Sequence, residues 1–120
     1  MKYNALFLEA YLKIIKSFNN SELSWYPASI GPSYKELFSR DAFACIAVNF
    51  PFTPEIHYIF FNASYDKTVR RMLFTSISIV SIETFLLKKK GDYLYKQHVE
   101  NSADIDNFLN KIESLCDTIK

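Results

Sequence analysis

Residues 42–62 read AFACIAVNFPFTPEIHYIFFN: two apolar runs rich in β-branched and aromatic side chains, parted by Pro51 and Pro54. Proline has no backbone N–H and biases the residue before it toward extended geometry. Neither a helix nor an unbroken ladder can therefore continue through Phe50–Pro54. Each run is strand-length, so the stretch predicts a β-hairpin closed by a short, stiff loop. Alternation puts Phe43, Cys45, Ala47 and Asn49 on one face and Ala42, Ala44, Ile46, Val48 and Phe50 on the other. Both rows are largely apolar, which predicts a strand interior to a sheet and covered on both sides. In the second run, Glu55, His57, Ile59 and Phe61 oppose Ile56, Tyr58 and Phe60.

Helices at the two ends supply the cover. Over residues 3–18, Leu8, Tyr11, Leu12, Ile15 and Phe18 recur at helical spacing, with Lys13 and Lys16 on the other side. Leu6, Phe7 and Ile14 widen the stripe enough to pack across a sheet, or between a sheet and a second subunit. A membrane-surface helix is the competing reading; Glu9 and the shortage of cations weigh against it. Near the other terminus, Asn101 and Asp104 are spaced as a capping box. Ile105, Phe108, Leu109, Ile112, Leu115, Cys116 and Ile119 then line one side of a helix.

Between these landmarks the pattern is mixed. Asn19–Asn20–Ser21 ends the first helix, and turn formers dominate to Ser33, so Trp25-Tyr26-Pro27 reads as linker. Its two rings either lid the core or anchor in a partner's pocket. Ser33 and Glu36 suggest a capped helical turn through Phe38. Asp66 reads as the cap of a short helix over 67–73, followed by a β-branched strand near 75–83; one helix from 67 to about 87 is the rival. Phe85–Asp92, with Gly91, reads as a second hairpin. Tyr93, Tyr95 and Gln97 then alternate with Leu94, Lys96 and His98 in an edge strand.

A chain of 120 residues supports one hydrophobic core. Eleven Phe and eight Tyr make it rich in rings, more than so short a chain readily buries, which leaves some for a groove or a partner. Net charge is +1, which argues against a general nucleic-acid binder. It is unevenly spread: Lys67–His98 holds seven Lys/Arg and two acids, whereas Val99–Lys120 holds five acids and two lysines. The two cysteines give no disulfide framework. The apolar N-terminus is interrupted by Glu9 and lacks a small-residue cleavage site, and no uncharged apolar run is long enough to span a bilayer; a cytoplasmic setting is the default expectation.

Reactive chemistry has few candidates. Two histidines and two cysteines lie at no close ligand spacing, so neither a metal nor a cofactor is expected. Glu55 and His57 would share a strand face and could form an acid–base pair, joined by Asp41. Cys45 and His57 could meet across the hairpin as a thiolate–imidazole pair, although Cys45 reads as core. Gly31 and Gly91 belong to no phosphate-cradling run, and no Gly-x-Ser-x-Gly elbow occurs.

Together these features predict a single α+β domain over 1–120: a mainly antiparallel sheet of about four or five strands, packed against the N- and C-terminal helices. The expected job is non-catalytic protein binding, as an inhibitor or immunity-type protein occluding a partner's active surface. Trp25, Tyr26, Tyr93 and Tyr95 are the candidate ring contacts, with Lys88, Lys89 and Lys90 steering. A second copy of the chain is a candidate partner. The alternatives are a small nucleic-acid-binding domain using the 67–96 basic cluster and a small hydrolase using Glu55 and His57.

Overall fold

The structure is a computed structural model that describes residues 2–28, 41–81 and 94–117. The elements run α1 (Lys2–Asn20), β1 (Trp25–Ala28), β2 (Asp41–Asn49), β3 (Ile56–Asp66), β4 (Arg71–Ser81), β5 (Tyr95–His98) and α2 (Ser102–Asp117). The strands form one five-stranded sheet in the order β1-β2-β3-β4-β5, each pair antiparallel. Both helices join the core built on one sheet face, giving the α+β domain that the pattern predicts.

The proline-parted hairpin forms as expected, with Ile46 opposite Ile59 and Val48 opposite His57. One detail differs. A bulge between Ala42 and Ala44 breaks strict alternation, and Phe43 turns to the helix-covered face, its ring 5.2 Å from Phe7. Phe7 also meets Phe61 and Phe74 at 5.6 and 5.9 Å, so one α1 ring ties three strands together. Ile14, Phe18, Ile59, Ile77, Ile79 and Phe108 complete that core.

The opposite face carries a smaller cluster of Cys45, Phe60 and Val80, with Ala28, Ala42 and Tyr58 beside it. Beyond it, Asn62 donates through Nδ2 to the hydroxyls of Ser76 at 3.0 Å and Ser78 at 3.1 Å, all three buried. Cys45, Phe60 and Val80 are buried within the single chain, so no second copy is needed to cover them.

Three local expectations are corrected. Trp25–Ala28 is an edge strand, not linker. Asn49 N–H donates to Ser24, which makes Trp25/Val48 and Pro27/Ile46 the non-hydrogen-bonded pairs. The missing N–H of Pro27 therefore points away from β2, the position where a strand tolerates proline. Second, neither a helix over 67–73 nor one long helix over 67–87 forms. β3 runs on to Asp66, residues 67–70 turn, and β4 starts at Arg71. Asp66 does cap, but its Oδ1 accepts from Thr68 N–H at 2.7 Å and Val69 N–H at 3.2 Å in a tight turn. Non-local pairing with β3 outweighs the weak helix propensity. Third, α1 buries Ala10, Ile14 and Phe18, leaving Leu8 and Leu12 exposed at 53% and 63%. The 33–38 turn and the 85–92 hairpin lie outside the described residues.

One end of each helix is sealed. At α2, Asn101 Oδ1 accepts from Asp104 N–H at 3.2 Å, and Asp104 Oδ2 accepts from Asn101 N–H at 3.3 Å, the reciprocal box that the spacing predicts. At the end of α1, Leu23 N–H reaches Phe18 O at 2.9 Å and Glu22 N–H reaches Asn19 O at 3.2 Å, with Glu22 at φ 56°. This Schellman turn places a side-chain-bearing residue where glycine is the usual solution. Glu22→Gly is accordingly expected to stabilise the fold by up to about 1 kcal/mol, read as a higher urea midpoint at constant slope. A lowered midpoint would show that glycine's unfolded-state entropy dominates.

Candidate functional site

His57 lies in the β3 row that faces the helices, beside Ile59 and Phe61, with the Phe50 and Phe52 rings at 5.7 and 5.8 Å. Those two rings stack on each other at 5.1 Å in the proline-bounded loop. Its Nδ1 lies 3.3 Å from the backbone oxygen of Glu55, not the carboxylate. Burial pushes the imidazole below its ordinary range, against a smaller upward pull from that carbonyl and the Glu55 charge. Asp41 pairs with Ala63, six positions along β3 from His57, on the order of 20 Å away. Glu55, His57 and Asp41 are thus not brought together as an acid–base group.

Cys45 pairs with Phe60 and packs on the opposite sheet face from His57. Desolvation pushes its thiol up to about 12, far from the thiolate a nucleophile needs. Cys116 on α2 is half-buried, and burial raises its thiol too, with the Asp117 and Glu113 charges adding to the shift. Among the described residues, no three His, Cys, Asp or Glu side chains converge into a group able to hold a metal ion. No described helix is long and apolar enough to cross a membrane.

The buried His57 makes stability pH-dependent. A histidine whose folded pKa lies below its unfolded value binds fewer protons folded than unfolded in the window between the two. Stability conferred by keeping it neutral is present above about pH 6.5 and is lost as pH falls below that value toward the folded pKa. The unfolding free energy is expected to drop between pH 7.5 and 5.5, and a His57→Gln variant to show a flatter profile over that range. Equal slopes in the two urea series would assign the dependence to other groups.

The candidate ring contacts separate. Trp25 half-buries against the helix-covered core, and its Nε1–H donates to Asn19 Oδ1 at 2.7 Å, so it is tied to the end of α1. Its neighbour Tyr26 faces the other side of β1 and is 52% exposed. Tyr95, on the far edge strand, packs on Phe108 at 5.9 Å, and Lys111 Nζ lies 5.5 Å from its ring centre. Its hydroxyl donates to Gln97 Oε1 at 2.7 Å. With β1 and β5 at opposite edges of a five-stranded sheet, Tyr26 and Tyr95 belong to no common patch. Lys88, Lys89, Lys90 and Tyr93 lie outside the described residues.

Other exposed apolar side chains lie outside the ring contacts that the sequence predicts. Leu8 and Leu12 form an i, i+4 stripe on the outer side of α1. Tyr65, 58% exposed, and Val69, 40% exposed, sit at the β3–β4 turn among Lys67, Arg70 and Arg71. The signal for the first was Ala10, which extends the 14–18 row and shifts the buried arc away from Leu8. The second became legible only once 63–74 was known to be a hairpin. A groove of about 320 Å³ between α1 and α2 is lined by Lys13, Lys16, Asp106 and Glu113. Lys13 Nζ bridges Glu9 and Asp106 there at 3.2 Å each. Pairing with Glu9, then Asp106, raises the lysine pKa. Lys13 and Glu9 are partly and Asp106 mostly exposed, so the bridge orients the two helices more than it stabilises them.

Compared with protein-family models, with curated proteins and with solved structures, the chain matches none of them.

Proposed function

We propose that this chain is a non-catalytic protein-binding module, of inhibitor or immunity type, that acts in the cytoplasm by covering a partner's active surface. The observation that carries the reading is the division of side chains in the fold. Cys45 and His57 are packed on opposite sheet faces and held in their neutral forms, while Leu8, Leu12, Tyr26, Tyr65, Val69 and Leu94 are exposed. Large apolar groups held on a packed helix and on the strands and turns of one sheet lose little conformational freedom when they dock, which favours binding by occlusion.

The test is recovery of a defined complex. The purified chain is used as bait in native extract, and the recovered protein is then purified and titrated calorimetrically against it. A saturable complex with a Kd below about 1 μM, and loss of the partner's own activity on mixing, supports the reading. Self-association alone, read by sedimentation, would replace it with a homodimer. Turnover of a substrate that disappears in His57→Gln would sink it. Nucleic-acid binding through the 67–96 basic cluster is the second reading, favoured by the exposed Lys67 and Arg70. It requires affinity for random oligonucleotides that collapses between low and moderate salt.

A further inference from the structure

We propose that the β3–β4 tip, Ser64–Leu73, is the docking element of this module, and that it enters an acidic, partly apolar cleft on a partner protein. The inference rests on the protein-binding reading and names the surface and the partner's chemistry. Residues 63–66 and 71–74 pair with each other in register from Ala63↔Phe74 through Ser64↔Leu73 to Asp66↔Arg71. Among the described residues, β2 pairs with β3 only as far as Ala63 and β5 with β4 only as far as Ser76, with one further bond from Val99 N–H to Thr75 O, so the tip extends past both as a two-stranded ribbon.

The ribbon is stiff at its end. The two amide contacts to Asp66 Oδ1 fix the turn, and Arg70 closes it in the left-handed region at φ 53°. A pre-organised turn of this kind gives up little entropy on docking. Its composition is that of a contact hot spot: an exposed Tyr65 with Met72 directly across, Val69 at the apex, and arginine beside them. Lys67 and Arg70 are exposed and form no ion pair with a described residue, and Arg71 stands across from Asp66.

Charge chooses the partner. Lys67 and Arg70 flank the turn, and the one acid of the tip, Asp66, has its carboxylate turned toward the amides of Thr68 and Val69, so the tip presents positive charge and complements an acidic surface. Val69 sits between Lys67 and Arg70, and Tyr65 is paired with Met72; an aliphatic group at the apex finds its complement in a protein cleft and not along a phosphate backbone.

Two measurements test the inference. In the first, the isotope-labelled full chain is titrated with a 12-residue peptide of alternating Glu and Phe, and separately with a 16-base-pair DNA duplex. Amide shifts concentrated at Ser64–Leu73 with the peptide are expected, at an affinity at least tenfold weaker in Lys67→Gln/Arg70→Asn. Asparagine tolerates the left-handed backbone, so this variant keeps the turn. Shifts elsewhere, or an unchanged affinity, would overturn the proposal; tighter binding of the duplex at the same tip would overturn it in favour of nucleic acid. In the second, the complex recovered with the wild-type chain is reassembled with the double variant. At least tenfold weaker binding supports the tip. An undiminished complex removes the tip and leaves the protein-binding reading standing, whereas no complex with the wild-type chain removes both.

Discussion

Phe61→Ala is expected to lower the unfolding free energy by about 3–5 kcal/mol, a third or more of what a domain of this size possesses. Phe61 is fully buried near the centre of β3. Its ring meets Phe7 and Tyr11 of α1 at 5.6 and 5.3 Å and Phe74 of β4 at 6.3 Å. Truncation removes the transfer energy of a phenyl group and leaves a cavity whose walls cannot close, because the surrounding rings are held by different elements. Urea unfolding followed by far-ultraviolet dichroism measures the loss. A change below about 1 kcal/mol would mean that α1 does not seat on the sheet through these rings. The exposed Leu12→Ala is the control, expected to stay within about 0.5 kcal/mol.

Asn62→Ala is expected to cost about 2–3 kcal/mol by a different route. Asn62 is buried on the other sheet face, where its amide nitrogen serves the hydroxyls of Ser76 and Ser78 together. Alanine leaves two buried hydroxyls short of a donor and opens a small void, and each deficit costs free energy where water does not reach. Asn62→Asp is the sharper variant, because it exchanges that donor for a buried charge. It is expected to destabilise more above the carboxyl's pKa and to recover part of the loss when acid neutralises it. If Asn62→Ala leaves the urea midpoint unchanged, the hydroxyls find other partners and the pair of contacts carries no net weight.

Several elements were legible because their signal is local. Pro51 and Pro54 forbid continuation whatever surrounds them, so the hairpin followed from two residues. Asn101 and Asp104 cap α2 through atoms three residues apart, and the apolar spacing from Ile105 to Ile112 needs only helix geometry. The errors came where local and distant terms oppose. The segment 67–73 reads as helix behind an Asp cap, yet the same cap closes a turn once β4 can pair along β3 from His57 to Asp66. Phe43 changes face at a bulge that no alternation rule foresees.

The candidate site was less legible than the fold. Cys45 read as core from its flanking Ala44 and Ile46, and it is core. His57 reads as an acid–base partner of Glu55, but Phe50 and Phe52 fold back over it from the loop, a contact set by the turn and not by the spacing of Glu55 and His57. Tyr95 reads as a candidate ring contact on an edge strand, whereas α2 packs Phe108 onto its ring.

By itself, then, the order of residues determined where the central hairpin turns and where α2 begins, which class of domain results, and that two helices must lie on a sheet. Those outcomes depend on covalent constraints and short-range periodicity, which act before any distant segment arrives. Only the assembled molecule decided which turn of α1 faces water, which rings are taken up by neighbours, and that Tyr65, Val69, Lys67 and Arg70 share one exposed tip. Burial is a property of pairs of segments far apart in the chain, and an apolar side chain carries no mark of which neighbour will cover it.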